Sequence, residues 1–232
     1  MRILTPLVDS NRAGSPALRF RLARQRLFRS LVEPMRRPIR ILDVGGTEAF
    51  WQSVGMAGAD DVEVITVNLD AQPPSSFPNI AHQQGDARDL SRFADRSFDV
   101  VFSNSLIEHV GGLDDQRAVA REIRRLGHAY FVQTPNRNFP LEPHFVIPFF
   151  QFLPISTRVY LLTHFDVGWW RKIDDPAEAR AAAESIRLLD RKTFAGLFPD
   201  ATLWEERAFG LVKSFVAYGG FPAQMRDRAH AA

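Results

Sequence analysis

Between Arg40 and Thr134 the chain repeats one pattern: a short apolar run rich in β-branched residues, then a stretch whose apolar residues recur at helical spacing. Runs of that length bury both faces, and helical segments between them supply crossovers, so the pattern predicts a parallel sheet covered by helices on both sides. The expected strands are Arg40–Val44, Val62–Val67, Ile80–Gln84, Phe98–Asn104 and Ala129–Thr134. Helices are expected at Ala49–Met56 and Asp114–Leu126, with a looser turn or helix around Asp89–Phe93. The alternation stops after Pro135 for about forty residues, which reads as an insertion. It is followed by predicted helices Pro176–Leu189 and Lys192–Phe198 and by two strands, Thr202–Ala208 and Leu211–Tyr218, close enough to form a hairpin. No internal repeat or low-complexity tract interrupts this single domain, expected over residues 1–232.

Composition narrows the class. No run of eighteen apolar residues occurs, which excludes a membrane-spanning helix, and the absence of cysteine excludes disulfides and thiolate-zinc sites. Residues 1–40 hold ten arginines against Asp9 and Glu33, a net +8, so the rest of the chain carries −6 of the overall +2. A basic excess confined to one end, on a mildly acidic body, does not suit a nucleic-acid partner. Ser15 and Pro16 read as N-cap and first helical residue, and Leu18, Leu22, Leu27, Leu31, Phe20 and Phe28 follow at roughly helical spacing up to Pro34. Residues 1–37 are therefore expected to form a basic helical cap over the domain and its site, with a membrane-surface helix and a targeting segment as the other readings.

Ile41-Leu42-Asp43-Val44-Gly45-Gly46-Thr47 is an apolar strand ending in an acid and two glycines, before a helical pattern. Glycines there let backbone approach a ligand. Counted from Gly45, the second and third places of a dinucleotide fingerprint are Thr47 and Phe50, and Glu48 lies where a carboxylate would repel a pyrophosphate. Asp43 instead suits a ligand that carries an ammonium group.

These residues resemble a class I S-adenosylmethionine-dependent methyltransferase, over residues 38–135 and 190–218. The resemblance implies an α/β, Rossmann-like, doubly wound sheet of seven strands in the order 3-2-1-4-5-7-6, with the last strand antiparallel. It also implies cofactor contacts at Asp43, Gly45, Gly46 and Thr47 after the first strand, Asn68 after the second, Asp86 and Ala87 after the third, and Asn104 at the end of the fourth. Asn68 departs from the acidic residue usual there, and Asp70 is its nearest substitute.

Methyl transfer from a sulfonium is an in-line displacement, and a sugar hydroxyl acceptor must also lose a proton. A histidine base or a bound divalent cation such as Mg²⁺ would assist. Glu108 and His109, just past the fourth strand, resemble the metal-binding pair of some quinone-biosynthesis methyltransferases, although Ser105 replaces their further carboxylate. The loop from Thr134 to Phe145, stiffened by prolines, adds Asn136, Arg137, Glu142 and His144 at the same edge, with Glu142 and His144 two residues apart on an extended segment. This second stretch resembles the branch that modifies sugars and polysaccharides. His144, His109 and Glu142 are thus candidate catalytic residues, and Glu108, His109 and His144 candidate metal ligands.

Six Phe, Tyr160, Trp169 and Trp170 crowd between Phe139 and Trp170. The insertion, residues 136–175, is expected to be a substrate lid in which Asn136, Arg137, Phe145, Trp169 and Trp170 meet the acceptor, or a local core, a dimer interface or a membrane-facing patch. The leading expectation is an O-methyltransferase of an oligosaccharide, polysaccharide or glycolipid. A phenolic or quinone-like acceptor and a catalytically silent interaction module are the alternatives. The expected location is the cytoplasm, with membrane association left open.

Overall fold

The structure, a computed structural model, describes residues 14–222. The first thirteen residues of the expected basic cap lie outside the described residues. Helix α1 spans Pro16–Val32; Pro16 occupies its first turn and the Ser15 hydroxyl accepts from the Leu18 amide at 3.0 Å. The chain continues through β1 (Ile39–Val44), α2 (Glu48–Ser53), β2 (Val62–Asn68), β3 (Ile80–Gln84), β4 (Phe98–Asn104), a 3₁₀ turn (Ile107–His109), α3 (Leu113–Leu126) and β5 (Gly127–Pro135). The insertion holds a two-stranded hairpin, β6 (Leu141–Glu142) and β7 (Ile147–Pro148), a second 3₁₀ turn (Phe150–Phe152) and α4 (Ile155–His164). Helices α5 (Pro176–Glu184) and α6 (Arg191–Leu197) and strands β8 (Thr202–Ala208) and β9 (Leu211–Gly219) complete it.

The seven-stranded sheet has the order β3-β2-β1-β4-β5-β9-β8. Strands β1 to β5 are parallel, and β9 inserts antiparallel between β5 and β8. This is the doubly wound, Rossmann-like α/β arrangement expected from the alternation. Two apolar layers flank the sheet. One packs α3 and α6 against Leu42, Val44, Val101 and Val132; the other packs α1 and α2 against Ile41, Val64, Phe102 and Phe131. Fully buried Phe28 meets Trp51, Phe102 and Phe131 edge-on, with ring centroids 5.9, 4.9 and 5.3 Å away, which fixes α1 across a sheet face. The Arg24 guanidinium reaches the buried Glu206 of β8 at 2.7 Å, so part of the basic excess is spent inside the fold.

Two helix ends need correction. The helix expected to run to Leu189 ends at Glu184, because Asp190 begins the next helix as its N-cap and the intervening residues return to the sheet, where Leu189 pairs with Asn136 in a parallel bridge. At Asp89–Phe93, of the turn or helix expected, the structure has turns, stitched by the Glu122 carboxylate and the Arg125 guanidinium. Helix α2 stops three residues short, at Ser53, before the left-handed Gly55. The insertion has its own small core, in which Phe145, Phe150, Leu162 and Val167 pack on Ala179, Ala182 and Ala183 of α5. No helix among the described residues is long and apolar enough to cross a membrane.

Candidate functional site

Parallel strands in register bring their carboxyl ends to one edge, where loops meet ligands in such sheets. Backbone bonds extend that register past the strand ends: Gly45 N–H donates to Val67 O at 2.8 Å, Gly85 to Asn68 O at 2.8 Å and Ser105 to Gln133 O at 3.0 Å. The loops after β1, β2, β3 and β4 therefore lie side by side around a cavity of about 510 Å³, lined by Gly45, Asn68, Asp70, Asp86, Ala87, Leu106, His109 and Glu184 among others. That volume falls within the range of small-molecule and cofactor pockets, roughly 300–1,000 Å³.

The glycine turn is packed from both sides. A Cβ on Gly45, which has φ +82°, would lie 2.8 Å from Leu106, and one on Gly46 would lie 1.6 Å from Asp43 Oδ2. Asn68 Nδ2 donates to Gly46 O at 3.0 Å and ties the end of β2 to the turn. Asp43 is 1% exposed and takes a 2.7 Å hydrogen bond from Trp51 Nε1 on Oδ2, while Oδ1 has no hydrogen-bond partner. Burial pushes its carboxyl up to about 7, against the smaller opposing effect of Trp51. The carboxylate thus supports the turn from beneath and does not line the cavity. Nor do Gly46, the exposed Thr47 and Asn104. Glu48 turns away from the glycines: it accepts from the Ser75 hydroxyl and, at 2.7 Å, from the Ser76 amide, 3.7 Å from His82.

At the third station Asp86 holds Arg88 through both carboxylate oxygens, at 3.0 and 2.6 Å, and that hydrogen bonding keeps its carboxyl below the usual range. Arg88 also reaches Asp115 at 3.1 Å.

Beside the cavity is a histidine and carboxylate cluster. Glu142 ends β6, but His144 sits on the tight turn that follows, closed by Val146 N–H to Glu142 O at 2.8 Å, so the two do not share the extended segment expected. Val146 adopts φ +55°, a strained value for a β-branched residue. The Glu142 carboxylate caps its own turn, accepting from the amides of His144 at 2.8 Å and Phe145 at 2.6 Å, and lies 2.7 Å from His144 Nδ1. Glu108 is fully buried, accepts from the Thr134 hydroxyl at 2.9 Å, and leaves Oε1 unbonded 3.9 Å from His144 Nε2. Burial raises the Glu108 carboxyl despite the His144 charge. Burial pulls His144 down, but the hydrogen bond and charge of Glu142 and the charge of Glu108 outweigh it, and its pKa rises. His109, edge-on to His144 with centroids 4.8 Å apart, is pushed down to about 4 by desolvation and then by the His144 charge.

One ligand atom each from Glu108, His109 and His144 lie within 4.8 Å of one another. Two imidazoles and one carboxylate suit borderline transition ions, whereas Mg²⁺ prefers oxygen donors and retained water. The donor set does not fit Mg²⁺, and the chemistry below proceeds without it.

The insertion's expected acceptor residues separate. Phe145 is 2% exposed and stacks on Phe150 at 4.2 Å and Trp170 at 5.8 Å within the local core, yet it also forms part of a second cavity together with Arg137. Trp169 is half exposed and donates to Pro143 O at 3.1 Å, next to His144. Asn136 is buried and holds Val212 O at 2.7 Å, so it braces β5 against β9. Sequence reasoning missed Glu184, Ser185 and Arg187, which the end of α5 delivers to these cavities; Arg187 N–H donates to Glu108 O at 2.7 Å. The signal lay in Asp190: a helix N-cap there requires a non-helical link before it.

Residues 43–129 match the family model of the methyltransferase domain. The chain has the methyltransferase fold. Two uncharacterized proteins, from two strains of Mycobacterium tuberculosis, are each 33% identical over 110 residues, which cover 47% of this chain and 36% of theirs. The matched stretch thus spans only about a third of those relatives. Among solved structures, the CurJ carbon methyltransferase aligns with TM-score 0.55 at 13% identity, over 92% of this chain and 56% of its own. The N-terminal domain of EvdMO1, crystallised with SAH and D-fucose, aligns with TM-score 0.52 at 16% identity, over 87% and 83%. The N-methyltransferase NodS from Bradyrhizobium japonicum WM9, in complex with SAH, aligns with TM-score 0.51 at 10% identity, over 89% and 88%. Carbon and nitrogen methyltransferases both share this methyltransferase fold, so the fold leaves the methylated atom open.

Proposed function

We propose that the protein is an S-adenosylmethionine-dependent O-methyltransferase of a carbohydrate hydroxyl, with His144 as general base. The Glu142–His144 pair carries this reading: a 2.7 Å contact to Nδ1 leaves Nε2 as the free nitrogen, directed toward the Glu108–His109 corner that borders the large cavity. The cavity fits the cofactor: a glycine turn that admits no Cβ, Asn68 and Asp70 where ribose hydroxyls need acceptors, and Asp86 with Ala87 where an adenine needs an edge partner. S-adenosylmethionine supplies the electrophilic methyl group.

The chain's own residues do the rest. Glu142 fixes the tautomer and the angle of the imidazole, as a triad carboxylate does. His144 Nε2 takes the hydroxyl proton as the acceptor oxygen bonds to the methyl carbon and the sulfur keeps its electron pair. His109, held neutral, lines the cavity without adding a second positive charge beside a sulfonium. Alignment of that kind is worth about 7–11 kcal/mol when reactants are well oriented. A sugar acceptor is supported by the proline-stiffened loop that resembles the polysaccharide-modifying branch, and by the D-fucose crystallised with the EvdMO1 domain.

The test supplies S-adenosylmethionine with panels of sugars, phenols and amines and identifies the methylated atom by mass spectrometry and NMR. A sugar methyl ether formed by the native protein and lost in His144→Ala supports the reading. Transfer only to nitrogen, carbon or a phenol overturns it, as does a folded protein that gives no calorimetric heat with millimolar S-adenosylmethionine.

A further inference from the structure

A second cavity, of about 280 Å³, opens on the other side of Glu142. Its wall includes Arg137, Arg158, Arg187, Gln151, Phe145 and Phe150. None of the three arginines forms a salt bridge among the described residues. Arg158 on α4 is held by neutral carbonyls, with Nε donating to Leu153 O at 2.9 Å and Nη1 to Ala183 O at 3.3 Å, so it spans the insertion and α5. Arg137 lies over the Phe152 ring at 5.8 Å. The guanidinium of Arg187 has no hydrogen-bond partner among the described residues.

Three cations around one small cavity repel one another, and nothing in the fold requires the repulsion. Burial, then the charges of Arg187 and Arg137, weaken the hold of Arg158 on its proton, with Glu184 and Glu142 opposing. The charges of Glu184 and Glu142 on Arg158, and of Asp190 near Arg137, offset part of this, but none of these carboxylates forms a salt bridge with the three arginines, and the oxygens of Glu142 are already bonded to His144 and the turn amides. Planar guanidinium forks match the oxygens of a carboxylate or phosphate, which would turn the repulsion into attraction. Arg137 and Arg187 also line an adjoining cavity of about 410 Å³ that shares Gly111 and Glu184 with the cofactor-sized cavity, so the spaces form one row.

We propose that this three-arginine cavity binds an anionic group of the acceptor, a carboxylate or a phosphate monoester, while the hydroxyl to be methylated lies toward His144. The inference rests on the methyltransferase reading above and narrows its acceptor to uronates or sugar phosphates. Neutral sugars would leave the arginines without a salt-bridge partner.

Calorimetry of the full chain saturated with SAH, titrated with glucuronate, glucose 6-phosphate and glucose, tests it. One of the two anions is expected to bind at least about tenfold tighter than glucose, the stronger arm distinguishing carboxylate from phosphate. Arg187→Gln and Arg158→Gln are each expected to lower that affinity about tenfold or more and to leave SAH affinity unchanged. Should Arg158→Gln fail to fold, Arg187→Gln, on the link after α5, decides alone. Equal binding of glucose and both anions, or anion binding indifferent to the variants, overturns the proposal. If the anion binds through the arginines but no sugar is methylated, the O-methylation reading falls and the anion site stands.

Discussion

Glu142 holds the ring of His144 by its Nδ1 at 2.7 Å and the amide of the same residue at 2.8 Å, so one carboxylate sets both the backbone and the side chain of the candidate base. Glu142→Gln keeps the shape but donates where it should accept. Turnover is expected to fall about 10²- to 10⁴-fold, the range for a mis-oriented general base, with SAH affinity unchanged by calorimetry.

The pH dependence follows from the same contact. His144 must be neutral to accept a proton, and its pKa is raised. Turnover is therefore expected to increase with pH through a midpoint above the usual histidine value, and that midpoint should fall in Glu142→Gln. A profile with no inflection in that range would remove His144 from the role.

His109→Ala should retain SAH binding and much of the turnover, because an imidazole pushed down to about 4 is a weak base. His144→Ala should retain binding and lose turnover. Reversed results would make His109 the base.

Asp43 predicts a stability slope. Its folded pKa of about 7 exceeds the unfolded value of 3.8, so between those values the folded state binds the proton more tightly and stability falls as pH rises. The full effect is up to about 4 kcal/mol. Asp43→Asn should flatten that fall in urea unfolding measured from pH 4 to pH 8.

Gly46→Ala places a Cβ 1.6 Å from Asp43 Oδ2 and must displace the turn. A loss of about 2 kcal/mol or more in stability and a large loss of SAH affinity are expected, by denaturation and calorimetry.

The sheet was legible in the sequence because its strands are largely buried on both faces and read as mostly apolar runs, Val62–Asn68 and Phe98–Asn104 among them. The loops that border the large cavity were legible because a strand end fixes where the next residue lies, although Asp43, Gly46, Thr47 and Asn104 do not line it. What a side chain faces was not. Asp43 is visible as an acid, but its partner Trp51 eight residues on is what turns it inward. Helix α4 escaped because Ile155–His164 is rich in β-branched and aromatic residues and has no acid in its first turn. Arg187 escaped because Ala-rich α5 reads on past Glu184 as if the helix continued.

The insertion carries a private core, and among the described residues α5 is the element that belongs both to that core and to the rim of the large cavity. The arm between β5 and α5 is thus held by contacts of its own, and a change inside it reaches the large cavity through α5 while the strands beneath keep their packing.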